Sequence, residues 1–386
     1  MPKNIVLCFD GTGNEFGVNN TNVVLTMRAI IKDQLQIANY DPGVGTFSIF
    51  GRTIGKKVGR VLGLAFGYGL EQNIEDGYRY LMDCYEDGDR VSFFGFSRGA
   101  FTARALAGMI HHYGILHPKN ENLIPYVSDM YTSYHINKEM NQDRRNLARQ
   151  FRSIFSRSCP IHFIGVWDTV KSLGWLMGKK FFDQTLHYDV KYGYHAVSID
   201  ERRRKFPVTL WDLSKKRPDQ TIEQVWFSGV HSNVGGWYDQ RGLSDIALAW
   251  MMDKAESAGL NLRSNWRNTI EQNPGDFLHN SRKGFWCLWP SVRRTIAAGS
   301  SIHQSVFDRI KLAETSDKIT YGPNLGNSFE IVSNPSYQPK TEAIGQANTT
   351  LDSIKFYAML IAISALVYWF GSDALRILQN VLNFLF

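Results

Sequence analysis

The fold of this 386-residue chain is decided by the stretch Arg90-Val91-Ser92-Phe93-Phe94-Gly95-Phe96-Ser97-Arg98-Gly99-Ala100. Its first half is a short apolar run of the kind that forms a buried strand, and residues 101–112, which are rich in alanine and leucine, predict a helix. The Gly-x-Ser-x-Gly pattern joins these two elements. Glycines on both sides of the serine allow a tight turn that holds the hydroxyl at the helix N-terminus. The stretch therefore predicts a strained, exposed Ser97 that acts as a nucleophile.

Short apolar runs recur along the chain and alternate with segments of helical periodicity, of which 22–35 and 71–85 are two examples. This alternation is typical of an α/β protein with a mostly parallel sheet that helices cover. In such sheets ligands bind beyond the carboxyl ends of the strands, where the polar residues of this chain collect. The predicted strands are 5–9, 37–40, 90–95, 161–167 and 224–230.

The composition is that of an ordinary globular protein, with 44% hydrophobic and 20% charged residues, which excludes a disordered or collagen-like chain. The 43 Lys and Arg and the 36 Asp and Glu give a net charge of +7. Because the basic residues form separate clusters, they favour solvated faces or weak attraction to anionic lipid over nucleic-acid binding. The four cysteines have no metal-ligand spacing, so we expect neither a metal nor a cofactor. The first apolar run is too short for a signal peptide.

A serine hydroxyl becomes a nucleophile when a histidine takes its proton and a carboxylate orients that histidine. Asp168 directly follows one predicted strand and His231 directly follows another, in the order serine, acid, histidine that accompanies this turn in hydrolases. His303 is the alternative base, since it also follows the acid along the chain. A strand end is the usual position of a functional residue in α/β sheets, and this favours His231 over His303.

Two backbone N–H groups are expected to stabilise the oxyanion of the reaction. One belongs to Arg98, directly after the nucleophile, and the other to Gly11 or Thr12 in the glycine turn after the first strand. The glycines of 11–17 have one residue too many for a dinucleotide-binding turn, and no helix clearly opens on them. The segment 51–57 is too short between its glycines for a phosphate-binding loop. Nucleotide chemistry is therefore not predicted.

Four motifs follow one another along the chain: Phe9-Asp10-Gly11-Thr12, Gly95-Phe96-Ser97-Arg98-Gly99-Ala100, Gly165-Val166-Trp167-Asp168-Thr169-Val170 and Gly229-Val230-His231-Ser232-Asn233-Val234-Gly235-Gly236. Together they resemble the α/β hydrolases called domain of unknown function 2235, which include the phospholipase effectors of bacterial type VI secretion. The resemblance covers roughly residues 3–325. It implies a serine esterase of glycerophospholipids with Ser97, Asp168 and His231 on the triad positions. Asn233 departs from the family, which more often has aspartate there.

The C-terminal region differs from the rest of the chain because residues 356–371 are almost entirely apolar and 374–386 are amphipathic. At 1.5 Å per residue the first of these reaches about 24 Å, which spans a bilayer core only marginally. We predict a catalytic domain at 1–334, a linker at 335–354 and membrane-associating helices at 355–386. The expected location is the bacterial inner membrane. Oligomerisation through the C-terminal helices, or burial as a core helix, is the alternative.

The function expected from the sequence is a phospholipase of type A, acting as an antibacterial or defence effector. The expected partners are a phospholipid membrane and an immunity, secretion or regulatory protein. Two alternatives come from other classes of function. One is an esterase or thioesterase of non-lipid substrates, and the other is a membrane-bound binding protein on a hydrolase fold that has lost its chemistry.

Overall fold

The first strand, β1 (Asn4–Phe9), is buried along its whole length. In the computed structural model it pairs in parallel with β2 (Gln36–Asp41) on one side and with β3 (Arg90–Phe96) on the other. Successive side chains of β1 enter two different hydrophobic cores, with Ile5 on one face and Val6 on the other. A strand that is covered on both faces has no polar face, which is why its sequence is a continuous apolar run.

The structure describes residues 2–11, 17–43, 59–136, 142–170, 186–187, 189–283, 286–287 and 290–347, and positions 354, 357, 358 and 361. Within them the other strands are β4 (Ile115–Leu116), β5 (Ser156–Arg157), β6 (Ile161–Trp167), β7 (Tyr192–Ser198), β8 (Thr221–Phe227), β9 (Ser300–His303) and β10 (Phe329–Val332). The helices are α1 (Asn22–Ala29), α2 (Gly59–Cys84), α3 (Arg98–Tyr113), α4 (Ile124–Ile136), α5 (Gln142–Phe155), α6 (His231–Gly235), α7 (Gly242–Ser257) and α8 (Gln304–Thr315).

The described part of the chain forms an eight-stranded sheet in the order β10-β9-β8-β7-β6-β3-β1-β2, in which all neighbouring strands are parallel. After β2 the chain returns to the opposite side of β1, and the strands from β3 onward extend the sheet in that direction. The order therefore reverses between β1 and β3. Ligands of open α/β sheets bind outside the strand ends at such a reversal.

Helices cover both faces of the sheet. One core contains residues of α2, α3, α4 and α5, and the other contains residues of α1 and α7. A third cluster forms where α8 packs near the end of the sheet that carries β9. The sheet and its helices fit the predicted α/β class.

Several element boundaries differ from the sequence-based expectation. Helix α1 ends at Ala29 instead of continuing to residue 35, because Ile30 is extended and forms a bridge with Leu262. Strand β8 ends at Phe227 instead of residue 230, and Gly229 follows it with a φ of 116°, a conformation that glycine adopts without strain. Strands β7, β9 and β10 were not expected.

The expectation of a C-terminal membrane segment is wrong. Crossing a bilayer takes about 20 predominantly apolar residues in one helix. None of the helices among the described residues meets this requirement. The 26-residue α2, for example, is interrupted by Glu71, Glu75 and Asp76. The predicted membrane association of 355–386 and the inner-membrane location that depended on it are therefore withdrawn; most of 355–386 lies outside the described residues.

The predicted boundaries at 334 and 354 stay a prediction. The described residues after position 334 are hydrogen-bonded to the main body: the N–H of Lys340 donates to Gln272, that of Ile344 to Gly275 and that of Ala347 to Leu278. The side chain of Ser336 also donates to Asp253 at 2.5 Å.

Helix α3 approaches the end of β1 so closely that only glycine fits at Gly99. A Cβ atom there would overlap with the carbonyl oxygens of Phe9 and Asp10. We expect Gly99→Ala to lower the free energy of unfolding by at least about 2 kcal/mol, in the range of overpacked cores. Gly322→Ala is the matched control, because its Cβ would meet no atom within 4 Å. Urea unfolding followed by tryptophan fluorescence measures both, and equal stabilities would contradict this close approach.

Candidate active site

Ser97 lies at the sharp turn between β3 and α3. Its backbone has φ 59° and ψ −117°, which is strained for a residue with a side chain. The turn is held by a hydrogen bond of 3.0 Å from the Ser97 N–H to the carbonyl of Trp167 on the neighbouring strand. The residue is only 7% exposed, so the expectation of an exposed serine is wrong. The side chain makes no capping bond to α3. The hydroxyl is thus aimed away from the helix and available to another partner.

That partner is His231, the first residue of the short helix α6. Its Nε2 lies 2.7 Å from the Ser97 Oγ. The imidazole packs against Phe96 at a ring distance of 4.6 Å and against Phe206 at 5.3 Å. The chain can approach here because Gly235 carries no Cβ, which would overlap the Phe96 ring. The two aromatic rings fix the plane of the imidazole relative to the serine.

Asp168 follows β6 and completes the hydrogen-bonded series. Its Oδ2 lies 2.5 Å from the Nδ1 of His231. Asp168 has a positive φ of 41°, an uncommon conformation outside glycine. Two hydrogen bonds hold it there: the backbone N–H of Asp168 donates to Ala196, and the N–H of the next residue, Thr169, donates to the Nε2 of the fully buried His195.

Sequence reasoning missed Arg294, which forms a two-point ion pair with Asp168. Its Nη1 lies 2.5 Å from Oδ1 and its Nη2 3.0 Å from Oδ2. The same guanidinium donates to the carbonyl and hydroxyl of Ser198 and to the carbonyl of Phe206. Asp168 Oδ1 also accepts the N–H of Ser198 at 3.0 Å. No local motif surrounds Arg294, so only the three-dimensional contacts identify it.

The electrostatics of the three groups favour a neutral imidazole next to a charged carboxylate. Burial alone would raise the pKa of Asp168, but the charge of Arg294 and the bond to His231 outweigh burial and hold that pKa well below its usual range. Burial lowers the pKa of His231, and Asp168 offsets this only in part. A neutral His231 whose Nδ1–H donates to Asp168 has a free lone pair on Nε2. It can therefore accept the proton of Ser97.

The three residues expected to bind an oxyanion, Arg98, Gly11 and Thr12, differ in where the structure places their backbone N–H groups. Arg98 is the first residue of α3, so its N–H lies at the helix N-terminus beside Ser97. The N–H of Gly11 donates to the Oδ1 of Asp10 at 2.7 Å. Thr12 lies outside the described residues. Asp10 in turn accepts the hydroxyl groups of Thr21 and Tyr40 and so anchors this turn.

A second ion pair supports the backbone of His231. Glu201 is buried, and its Oε2 accepts the N–H of His231 at 3.3 Å. Arg203 binds both oxygens of Glu201 at 2.9 Å and stacks over the ring of Phe206 at 3.5 Å. Glu201 therefore connects the backbone of His231 to Arg203, and Arg203 packs on Phe206, the ring that contacts the imidazole of His231.

His303, the alternative base, occupies a different place. It is fully buried at the N-terminus of α8 and stacks on Phe227 at 4.8 Å. Its Nδ1 accepts the N–H of Ser305, and its Nε2 lies 3.0 Å from the Oδ1 of Asn334. Burial lowers its pKa to about 4. These contacts cap a helix, and Ser97 is not among its hydrogen-bond partners.

Removing Arg294 is expected to destabilise the protein in a pH-dependent way. Arg294→Met leaves a buried carboxylate without its cation, which costs about 3–5 kcal/mol. Because the pKa of Asp168 is depressed in the folded state, the stabilising charge is present above the unfolded pKa of about 3.9 and is lost as the pH falls below it. The difference in the free energy of unfolding between Arg294→Met and wild type should be largest near pH 7 and should shrink below about pH 4. Urea unfolding across this range tests it.

Arg294→Lys is the matched control because it keeps the positive charge but not the two-point geometry. We expect it to recover part of the stability at neutral pH. A stability loss in Arg294→Met that is the same at every pH would mean that Arg294 acts by packing alone.

Comparison with known proteins gives one family match. Residues 3–254 match the model of the type VI secretion phospholipase effectors, Tle1-like, catalytic domain. A curated relative, the uncharacterized protein YEL023C of Saccharomyces cerevisiae, is 36% identical over 217 residues, which are 53% of this chain and 32% of that protein. The chain thus spans about a third of the length of that relative.

Two solved structures are similar at low identity. One is an uncharacterized protein from Pseudomonas aeruginosa, with 21% identity, a TM-score of 0.40 and coverage of 69% of this chain and 47% of that chain. The other is the Tle1 effector bound to the VgrG spike of the type 6 secretion system, with 16% identity, a TM-score of 0.34 and coverage of 62% and 52%. The family match covers well over half of the present chain. The chain therefore belongs to the family of Tle1-like phospholipase effectors of type VI secretion.

Proposed function

We propose that the protein is a serine esterase that cleaves the acyl esters of glycerophospholipids. Ser97 is the nucleophile, His231 the general base and Asp168 the residue that orients the imidazole. The observation that carries the proposal is the hydrogen-bonded series of these three side chains, with 2.7 Å between Ser97 and His231 and 2.5 Å between His231 and Asp168. The strained backbone of Ser97 supports the same assignment, since strain of this kind collects at functional sites.

The geometry supports a two-step reaction. The Ser97 Oγ attacks the ester carbonyl carbon while its proton passes to the Nε2 of His231, and the N–H of Arg98 stabilises the resulting oxyanion. The oxyanion collapses, the glycerol oxygen leaves with the proton from His231, and the acyl group stays on Ser97. A water molecule then gives a proton to His231 and attacks the acyl enzyme. The fatty acid is released and Ser97 regains its proton.

Family membership supports a phospholipid substrate over other esters. A type A cleavage, an effector role against bacteria and an immunity or secretion partner are proposals of the same origin. The alternative, hydrolysis of non-lipid esters or thioesters, needs the same three residues. The two proposals differ only in the substrate, and the assay with phospholipid vesicles and p-nitrophenyl butyrate distinguishes them.

Ser97→Ala is expected to abolish fatty-acid release from phospholipid vesicles, with a loss of about a thousandfold or more because the covalent step is lost. Ser92→Ala is the matched control. Ser92 lies on β3, the strand that leads to Ser97, and is fully buried. Its hydroxyl has no hydrogen-bond partner among the described residues, so its removal should leave activity unchanged. Equal release by Ser97→Ala and wild type would contradict the role of Ser97. Cleavage of p-nitrophenyl butyrate without any release from vesicles would favour the non-lipid alternative.

The two candidate bases are separated by comparing His231→Ala with His303→Ala. His231→Ala should lower the kcat of the folded protein by about a thousandfold or more, because it removes the proton acceptor of Ser97. His303→Ala removes a helix cap and should lower the free energy of unfolding by about 1 kcal/mol or more. Its folded fraction should keep near wild-type kcat. The reverse pattern of kcat losses would assign the base to His303.

A further inference from the structure

A cavity of about 600 Å³ lies beside the candidate site. Its volume is within the range of pockets that hold small organic ligands, about 300–1,000 Å³. Val230, which directly precedes His231, lines it, and so does Arg294, which holds Asp168. The cavity and the candidate active site therefore share a wall, although Ser97 is not part of the cavity lining.

The cavity wall carries an excess of positive charge. Arg202, Arg282, Arg293 and Arg294 contribute to it, whereas Asp200 is its one acidic residue among the described lining residues. The Ser281 hydroxyl of the wall donates to the Oε1 of Glu201 at 2.9 Å, so the arginines are the donors that matter here. Guanidinium groups match a phosphate group, which accepts two parallel hydrogen bonds from one arginine.

Two of these arginines are held next to each other by the backbone. The N–H of Val292 donates to the carbonyl of Arg202 at 3.1 Å, and Arg203 bridges to Ser291. This pairing places the segments that carry Arg202 and Arg293 side by side. Neither guanidinium has a hydrogen bond or ion pair within the described part of the chain, and both side chains are exposed to the cavity opening and solvent. Their charges are thus available to a ligand.

Asp200, the acidic residue of the wall, attracts Arg202 electrostatically, but the hydrogen bonds of its carboxylate go to other groups. The Oδ2 of Asp200 accepts the N–H of Gly229 at 2.7 Å and the hydroxyl of Tyr321 at 3.0 Å. Behind Tyr321 lies a further guanidinium, that of the fully buried Arg309, 5.1 Å from the ring centre. Arg309 is itself held by the carbonyls of Pro274 and Asp276. Arg309 also attracts Asp200 electrostatically, so the negative charge of Asp200 is shared between this buried guanidinium and Arg202.

We propose that this cavity binds the phosphate group of a small organic ligand, with Arg202 and Arg293 as its principal contacts. Resting on the proposed function, the ligand with the matching chemistry is the headgroup of the phospholipid substrate. Apolar residues of the wall, such as Ile199 and Leu278, suit the glycerol carbons attached to that phosphate. The site selects for charge and leaves the acyl chains outside the cavity.

Binding is tested on the full chain with inorganic phosphate and glycerophosphocholine as probes, by isothermal titration calorimetry at low and at high salt. We expect Arg202→Gln and Arg293→Gln each to weaken binding about tenfold, because each loses a charge-assisted hydrogen bond. Arg204→Gln is the matched control, since Arg204 is an exposed arginine of the same segment that does not line the cavity. Absent binding, or equal binding by all four proteins, would overturn the proposal.

Kinetics identify the source of the phosphate. If it is the substrate headgroup, both arginine variants should raise KM for phospholipid about tenfold, leave kcat nearly unchanged and leave p-nitrophenyl butyrate hydrolysis as in wild type. Glycerophosphocholine should then compete with phospholipid. If binding is lost but KM for phospholipid is unchanged, the cavity takes a free phosphate compound and the headgroup assignment is wrong. These outcomes are distinct from failure of the proposed function, in which the wild type itself releases no fatty acid.

Discussion

The buried carboxylate of Asp168 is the constraint on which the rest of the site depends. A fully buried negative charge is costly unless it is paired and hydrogen-bonded. Here Arg294 supplies two contacts, Ser198 a backbone donor and His231 a third partner. The cation keeps the carboxylate ionised. The ionised carboxylate accepts a hydrogen bond from Nδ1–H of His231 and so favours the tautomer in which Nε2 is unprotonated and can accept from Ser97. Four residues from distant parts of the chain are therefore coupled through one charge.

The parallel sheet determines where these residues can meet. Ser97 follows β3, Asp168 follows β6 and His231 comes shortly after β8, so all three leave the sheet at its carboxyl edge. The close packing at Gly99 brings the turn after β1 against the start of α3 at the point where the strand order reverses. The packing of α3 and the geometry of the site thus depend on the same few contacts. A substitution that weakens the packing at Gly99 would also displace Ser97.

Local patterns single out Ser97, Asp168 and His231 as candidates, because a strand end and a glycine turn are visible in a few consecutive residues. The structure brings the three side chains within hydrogen-bonding distance, and their catalytic roles stay a prediction. Strand β7 was missed because Gly193 and His195 interrupt its apolar run, although both are buried in the sheet. Arg294 could not have been found, since it lies outside regular structure and 126 residues from its partner. Sequence patterns do not reveal a residue such as Arg294, because its role arises only from contacts between remote segments of the chain.

Arg294 also links the candidate active site to the cationic cavity, since its guanidinium binds the carboxylate of Asp168 and the residue forms part of the cavity wall. A bound anion near this wall would compete electrostatically with Asp168 for the same positive charge. The competition stays small only if other cations take most of the anion's charge. The guanidinium groups of Arg202 and Arg293, which form no hydrogen bond or ion pair among the described residues, are placed to do so, and this leaves Arg294 committed to Asp168.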